Sequence, residues 1–288
     1  MNKTMKKIIM IVLAIVMAQT VKSQEVSKEP YFDADQMPNA VACLPAPPDT
    51  IGALFTHDIM QYMWGKSIRD TERGKLAAAH KVTSAADMAE FFSVPFGMTL
   101  SATETPAIFK LMSRVIPTFR LSVTKPKEVY ARKRPYVRFN ESTNIPEEEE
   151  KEYNAGSYPS GHTIRGWGLA LVLCEINPER QDSLLKLGYE WGQSRVIAGY
   201  HWQSDVDASR LLAAGVFARL HSCPDYLADL AEAQQEFARL KGEADDINSV
   251  KIVPHPASQR RAYTVSGIPA DDSTHGIIIE NGKKILRR

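Results

Sequence analysis

The chain has 288 residues, 44% hydrophobic and 24% charged, with a formal charge of +1. That length allows one large or two modest domains with a well-buried core. The near-neutral balance, without any basic block interleaved with aromatics, excludes an ordinary nucleic-acid-binding surface.

The opening residues have the three parts of a secretory signal. Lys3, Lys6 and Lys7 form a basic start, Ile8 to Ala18 an apolar stretch, and "VKS" a cleavage tripeptide ending at Ser23. The apolar stretch falls short of the roughly 18–20 residues a spanning helix needs. Removing residues 1–23 takes away four lysines and no acid, so the formal charge passes from +1 to −3. No other segment reads as a membrane span. The expected product is exported, periplasmic, or beyond that at the outer-membrane surface or secreted. Export permits disulfides, but Cys43, Cys174 and Cys223 cannot all pair within one chain. Cys174, inside "LALVLCEI", reads as a buried inert thiol, which leaves Cys43–Cys223 as the bridge open to formation. No CxxC or HxxH spacing points to a metal.

Residues 24–50 are proline-rich and read as an extended lead-in. A helical domain is expected over 51–241. "IGALFTHDIMQYMWGKSI", "TERGKLAAAHKV" and "SAADMAEFFSVPF" carry apolar residues three and four apart, with Ser84 as N-cap of the third. "TPAIFKLMSRVIPTF" opens on Thr105-Pro106. The acidic "PEEEEKEY" reads as a solvated loop or helix start without a chemical role. Three further helices follow "GSYPSGHT", Pro178 separating the first two, and Tyr226 to Leu240 is the last. The core is therefore expected to be an all-α bundle. From Gly242 the character changes: "RRAYTVSG" and "GIIIENGKKILRR" are β-type runs, and Asn281-Gly282 is a hairpin signal, giving a short β-rich tail over 242–288.

Three segments carry candidate chemistry. In "KEVYARKRP", Lys127 and Arg134 are seven residues apart, about two helical turns, so one helix would aim both the same way and Arg132 and Lys133 elsewhere. In "GSYPSGHT", Gly156 and Gly161 permit close backbone approach. A helix opening at Ser160-Gly161 would leave amides free for an anion, although a plain N-cap by Ser160 or Thr163 explains the same residues. In "SRVIAGYHWQSD", His201 and Asp205 are four apart, so a carboxylate can fix the ring tautomer and free its other nitrogen. His57, His80 and His221 read as surface or satisfied core residues, and His255 and His275 as inert parts of the tail.

The ordered set Lys127, Arg134-Pro135, Pro159 to His162, Ser194-Arg195, His201 and Asp205 resembles the three-part signature of the type 2 phosphatidic acid phosphatase and vanadium haloperoxidase superfamily. The wording "TERGKLAA", "GSYPSGHT", "LVLCEINPER" and "GQSRVIAGYHWQSDVDA" is similar to the class A non-specific acid phosphatases, from about Cys43 to Leu240. The resemblance implies phosphomonoester substrates, no cofactor and no metal. It also implies that Lys127, Arg134, Ser160, Gly161 and Arg195 bind phosphate. His201, held by Asp205, would form a phosphohistidine, and His162 would protonate the leaving group and then activate water. A bell-shaped rate profile centred below neutrality follows, because His162 must start protonated and His201 neutral. The family also implies a homo-oligomer. The tail resembles the C-terminal sorting segments of type IX secretion, which would make that machinery a partner. Competing readings are a vanadium-dependent haloperoxidase, a membrane lipid-phosphate phosphatase and a non-catalytic phosphate-binding protein.

Overall fold

The computed structural model describes residues 28–248 and the short segments 262–264, 269–270, 275–280 and 283–287. The expected signal over residues 1–23, and His255, lie outside them. The chain divides into two compact units, 1–241 and 242–288.

The described residues of the first unit form helices and no strand. Its elements are α1 (Ala40–Cys43), α2 (Ala53–Ser67), α3 (Glu72–Ala79), α4 (Ala85–Phe96), α5 (Pro106–Leu121) and α6 (Thr124–Tyr130). Then come α7 (Pro135–Phe139), α8 (Glu149–Glu152), α9 (Gly161–Ile176), α10 (Gln181–Ala198), α11 (Gln203–Leu220) and α12 (Pro224–Asn248). Local signals set many of the ends. Ser84 accepts from the Asp87 amide and starts α4, and Pro106 occupies the first turn of α5.

Helix α9 is the axis of the bundle. Ile164, Leu169, Val172 and Leu173 are buried, and α5, α10 and α11 all pack on it. Its helical neighbours come unusually near because glycines line the seams. A Cβ on Gly168 would stand 2.5 Å from the Phe119 ring, and one on Gly188 would stand 2.6 Å from Ala170 Cβ. Trp191, Phe92, Phe96, Leu111, Met112 and Val216 fill the space around this axis.

Helix α12 closes the bundle by both burial and charge. Tyr226 and Ala233 are buried. The Glu236 carboxylate accepts from the Ala107 and Ile108 amides at 3.2 and 3.0 Å, sitting on the positive end of α5.

Two expectations change. The proline-rich lead-in is not simply extended, because Tyr31, Phe32, Met37 and Leu44 join the main core. Tyr31 is fixed by its hydroxyl donating to Asp229 at 2.6 Å and its amide donating to Thr118 at 2.9 Å. Cys43 and Cys223 do not pair: one thiol is exposed and the other buried, and Cys174 is also free. Burial pushes the Cys174 thiol up to about 11, which keeps it protonated and unreactive.

Among the described residues of the second unit, four short strands pair antiparallel in the order β2–β1–β3–β4: β1 (Ala262–Thr264), β2 (Pro269–Ala270), β3 (Gly276–Glu280) and β4 (Lys283–Arg287). Glu280 stands opposite Lys283.

Candidate active site

Helix ends build the site. The positively charged start of α9, the last turn of α10 and the first turn of α11 converge, and the connection between α6 and α7 runs against them. Gly199 ends α10 with φ of 88°, a left-handed conformation that glycine adopts without strain. That turn lets the Tyr200 and His201 amides both donate to the Arg195 carbonyl, at 3.0 and 3.2 Å, which aims the His201 ring inward.

His201 is almost fully buried and its tautomer is fixed from both sides. Its Nδ1 lies 3.3 Å from Asp205 Oδ2, an acceptor, so the proton sits on Nδ1. Its Nε2 lies 3.1 Å from Arg134 Nη1, which can only donate. The Nε2 lone pair is therefore what the ring presents to the site. Burial, followed by Arg134, Lys127 and Arg195, holds the His201 pKa well below the ordinary histidine value. The imidazole is neutral.

Asp205 is itself held by three further groups. Ser157 donates to Oδ2, as does the Trp202 amide at 2.9 Å, and Arg132 donates to Oδ1 at 2.5 Å. Arg132 also reaches Asp58 Oδ2 at 2.8 Å, and Asp58 accepts from the Ser204 amide and hydroxyl at 2.8 and 2.6 Å. Arg132 thus bridges two carboxylates that have no exposure. Satisfying the charge of Asp205 so fully leaves it a strong, fixed acceptor for the His201 ring.

Of the phosphate-binding candidates, Arg134 lies against Nε2, and the charges of Lys127 and Arg195 are felt by the same ring. Arg134 is buried to 2% exposure at the N-cap of α7. Its Nη1 donates to the Tyr200 carbonyl at 3.0 Å, its Nε to the Glu152 and Ala155 carbonyls at 3.1 Å each, and its Nη2 to the Glu152 carboxylate. Lys127 Nζ donates to the Gly156 carbonyl, and burial and then Arg134 hold its pKa well below the usual lysine value. Arg195 is buried on α10, and its Nε and Nη1 have no hydrogen-bond partner. A buried guanidinium with two unanswered donors is a costly feature unless an anion arrives.

Ser160 caps α9: its oxygen accepts from the Thr163 amide at 3.3 Å and hydroxyl at 2.8 Å. That cap leaves the Gly161 and His162 amides without acceptors inside the helix. The Ser160 amide donates to the Asp205 carbonyl at 3.2 Å, tying the start of α9 to the start of α11. His162 Nε2 lies 2.8 Å from the Lys81 carbonyl, which can only accept, so Nε2 carries the proton and Nδ1 is the open nitrogen. Burial, then Arg195 and Arg165, push the His162 pKa well below the ordinary value.

Four local expectations are corrected. Lys127 and Arg134 do not share a helix, because α6 stops at Tyr130 and residues 131–134 are non-helical. Arg132 does not point elsewhere but grips Asp205. The acidic run is not a bystander, since Glu152 pairs with Arg134. Gly156 also has a different use from the expected one: a Cβ there would collide with the Lys127 carbonyl, so it admits protein backbone rather than ligand. A signal for Arg132 was present: in an extended segment before proline, residues two apart share a side.

Comparison with known proteins gives the family. Residues 107–229, which include every candidate above, match the PAP2 superfamily. A non-specific acid phosphatase of Providencia stuartii is 45% identical over 212 residues, covering 73% of this chain and 86% of the relative. The chain belongs to the PAP2 superfamily, among its non-specific acid phosphatases. A non-specific acid phosphatase of Salmonella typhimurium is 37% identical over 225 residues, 78% of this chain and 89% of the relative. An acid phosphatase of Zymomonas mobilis is 30% identical over 238 residues, 81% of this chain and 88% of the relative. As a PAP2-superfamily phosphatase the chain is an enzyme, and among its described residues no helix is long and apolar enough to cross a membrane.

Proposed function

We propose that this phosphatase is exported and hydrolyses a broad range of phosphomonoesters without a metal, through a phosphohistidine on His201. The observation that carries the reading is the His201 ring, neutral, proton on Nδ1 toward Asp205, lone pair on Nε2 beside Arg134. In the first step Nε2 attacks phosphorus, the ester P–O bond breaks, and His162 Nδ1 gives its proton to the departing alkoxide. In the second, His162 takes a proton from water, the hydroxide attacks phosphorus, and the P–N bond breaks to release phosphate and restore His201. Arg134, Lys127 and Arg195, with the Gly161 amide, supply the positive charge that the equatorial oxygens require.

Breadth of substrate follows because all these groups grip the phosphoryl end and none selects the leaving group. Export rests on the signal pattern of residues 1–23, and outward sorting by the type IX machinery on the tail. Self-association is a further proposal taken from the family. The mechanism is tested by His201→Ala with p-nitrophenyl phosphate. The variant is expected to lose turnover and to yield no acid-labile phosphoenzyme on rapid quench, while parental activity withstands EDTA and falls with vanadate. Parental turnover in the variant would overturn the proposal. Truncation after Lys241 should leave activity intact and change only where the enzyme is found.

A further inference from the structure

Arg134 differs from Arg195 in one respect that matters for binding. Arg195 holds two donors open, whereas every nitrogen of Arg134 already has an acceptor. Three of its acceptors are main-chain carbonyls, those of Glu152, Ala155 and Tyr200, and a fourth is His201 Nε2. The fifth is the Glu152 carboxylate on Nη2, from a side chain with 27% exposure. It is the one charged acceptor of the five.

The same carboxylate lies within the reach of the other cations of the site. Its charge opposes the depression that burial imposes on Arg120, Arg165, Arg195 and Lys127. Glu152 ends α8, at the end of the acidic run 147–152, so it is delivered to the cationic cradle by its own short helix.

We propose that Glu152 is a resident anion on Arg134 that the substrate phosphoryl group displaces, and that it thereby sets the affinity of the site for phosphate. This rests on the phosphate-binding reading of Arg134. A phosphoryl oxygen reaching Nη2 takes the place of a carboxylate oxygen, and Glu152 turns outward into solvent. The exchange trades one ion pair for another, so part of the attraction between the site and any phosphoryl anion is spent on removing the resident carboxylate. Glu152 acts through Arg134 and is an affinity-setting residue rather than a catalytic one.

The test is inorganic phosphate binding and p-nitrophenyl phosphate kinetics in the full chain, its Glu152→Gln and Glu152→Ala variants, and Arg134→Ala. The Gln variant keeps the size of the side chain and the backbone carbonyl that Arg134 Nε uses. Both Glu152 variants are expected to bind phosphate more tightly by about fivefold, the scale of a partly exposed ion pair removed from competition. KM and the product-inhibition constant should fall together, with the effect residing in KM more than in kcat. Arg134→Ala should lose phosphate binding. If phosphate affinity is unchanged or weaker in both Glu152 variants while Arg134→Ala loses it, the displacement is wrong and the site reading stands. If Arg134→Ala binds phosphate like the parent, the reading of Arg134 is wrong and the displacement falls with it.

Discussion

Two histidines share one pocket and are asked for opposite protonation states. His201 is neutral as it stands, which suits a nucleophile. His162 is held neutral too, by burial and by Arg195 and Arg165, although the first step proposed above needs it protonated. A bound dianionic phosphoryl group supplies the opposite sign and raises its pKa. The sign is therefore fixed: His162 titrates at lower pH in the free enzyme than in the substrate complex. The alkaline limb of kcat is expected at higher pH than that of kcat/KM, because the first reports the complex and the second the free enzyme. Coincident limbs, measured with p-nitrophenyl phosphate from pH 4 to 8, would show that the ligand does not tune His162. At this scale the motif residues were legible because their spacing is short and chemical. Arg132, Ser157 and Glu152 were not, since each acts through a partner 18 to 74 residues away, and no local pattern records such a pairing. The mistaken aim of Arg132 came from extending α6 four residues too far.

Helices carry the site at their ends, so the precision of the site is a matter of helix packing. The glycine seams of α9 set how near its neighbours stand. Gly168→Ala would drive a methyl into the Phe119 ring, and an overpacking cost of about 1–3 kcal/mol is expected from urea unfolding. Ser84→Ala, which removes the α4 cap on the exposed surface, should cost about 1 kcal/mol with unchanged kcat. Activity losses in the first variant beyond its loss of stability would show that the α5–α9 spacing reaches the catalytic groups. Helix existence was readable from apolar spacing, and Ser84 and Pro106 fixed two starts. The central place of α9 was not, because its partly exposed face, with Trp167, Leu171 and Cys174, is apolar as well, so no one-sided stripe stands out.

Over the whole molecule, buried neutral histidines tie stability to pH. Burial, then Arg73 and Arg195, lower the His80 pKa to about 3, and its ring stacks on Trp191 at 4.4 Å between centroids. His162 and His201 shift the same way. Below the unfolded value near 6.5 the unfolded chain takes up protons that the folded chain refuses, so stability present above that pH is lost as pH falls toward about 3. His80 contributes a slope of up to roughly 1.4 kcal/mol per pH unit in that window, and His162 and His201 act in the same direction. Thermal unfolding between pH 7 and 4 should show Tm falling, with the fall reduced by saturating phosphate. A Tm that rises on acidification would contradict the burial of these rings.

The convergence of helix ends has a consequence for when activity appears. Lys127, Arg134, His162, Arg195 and His201 come from separate helices and turns, and none of these local pieces holds more than a fragment of the cradle. Hydrolysis therefore begins only once the bundle has docked, and helix content alone confers none. During refolding, far-ultraviolet circular dichroism should recover ahead of turnover. If the chain is exported unfolded, as the proposal of export allows, it would accordingly be harmless to the phosphate esters of the compartment that made it.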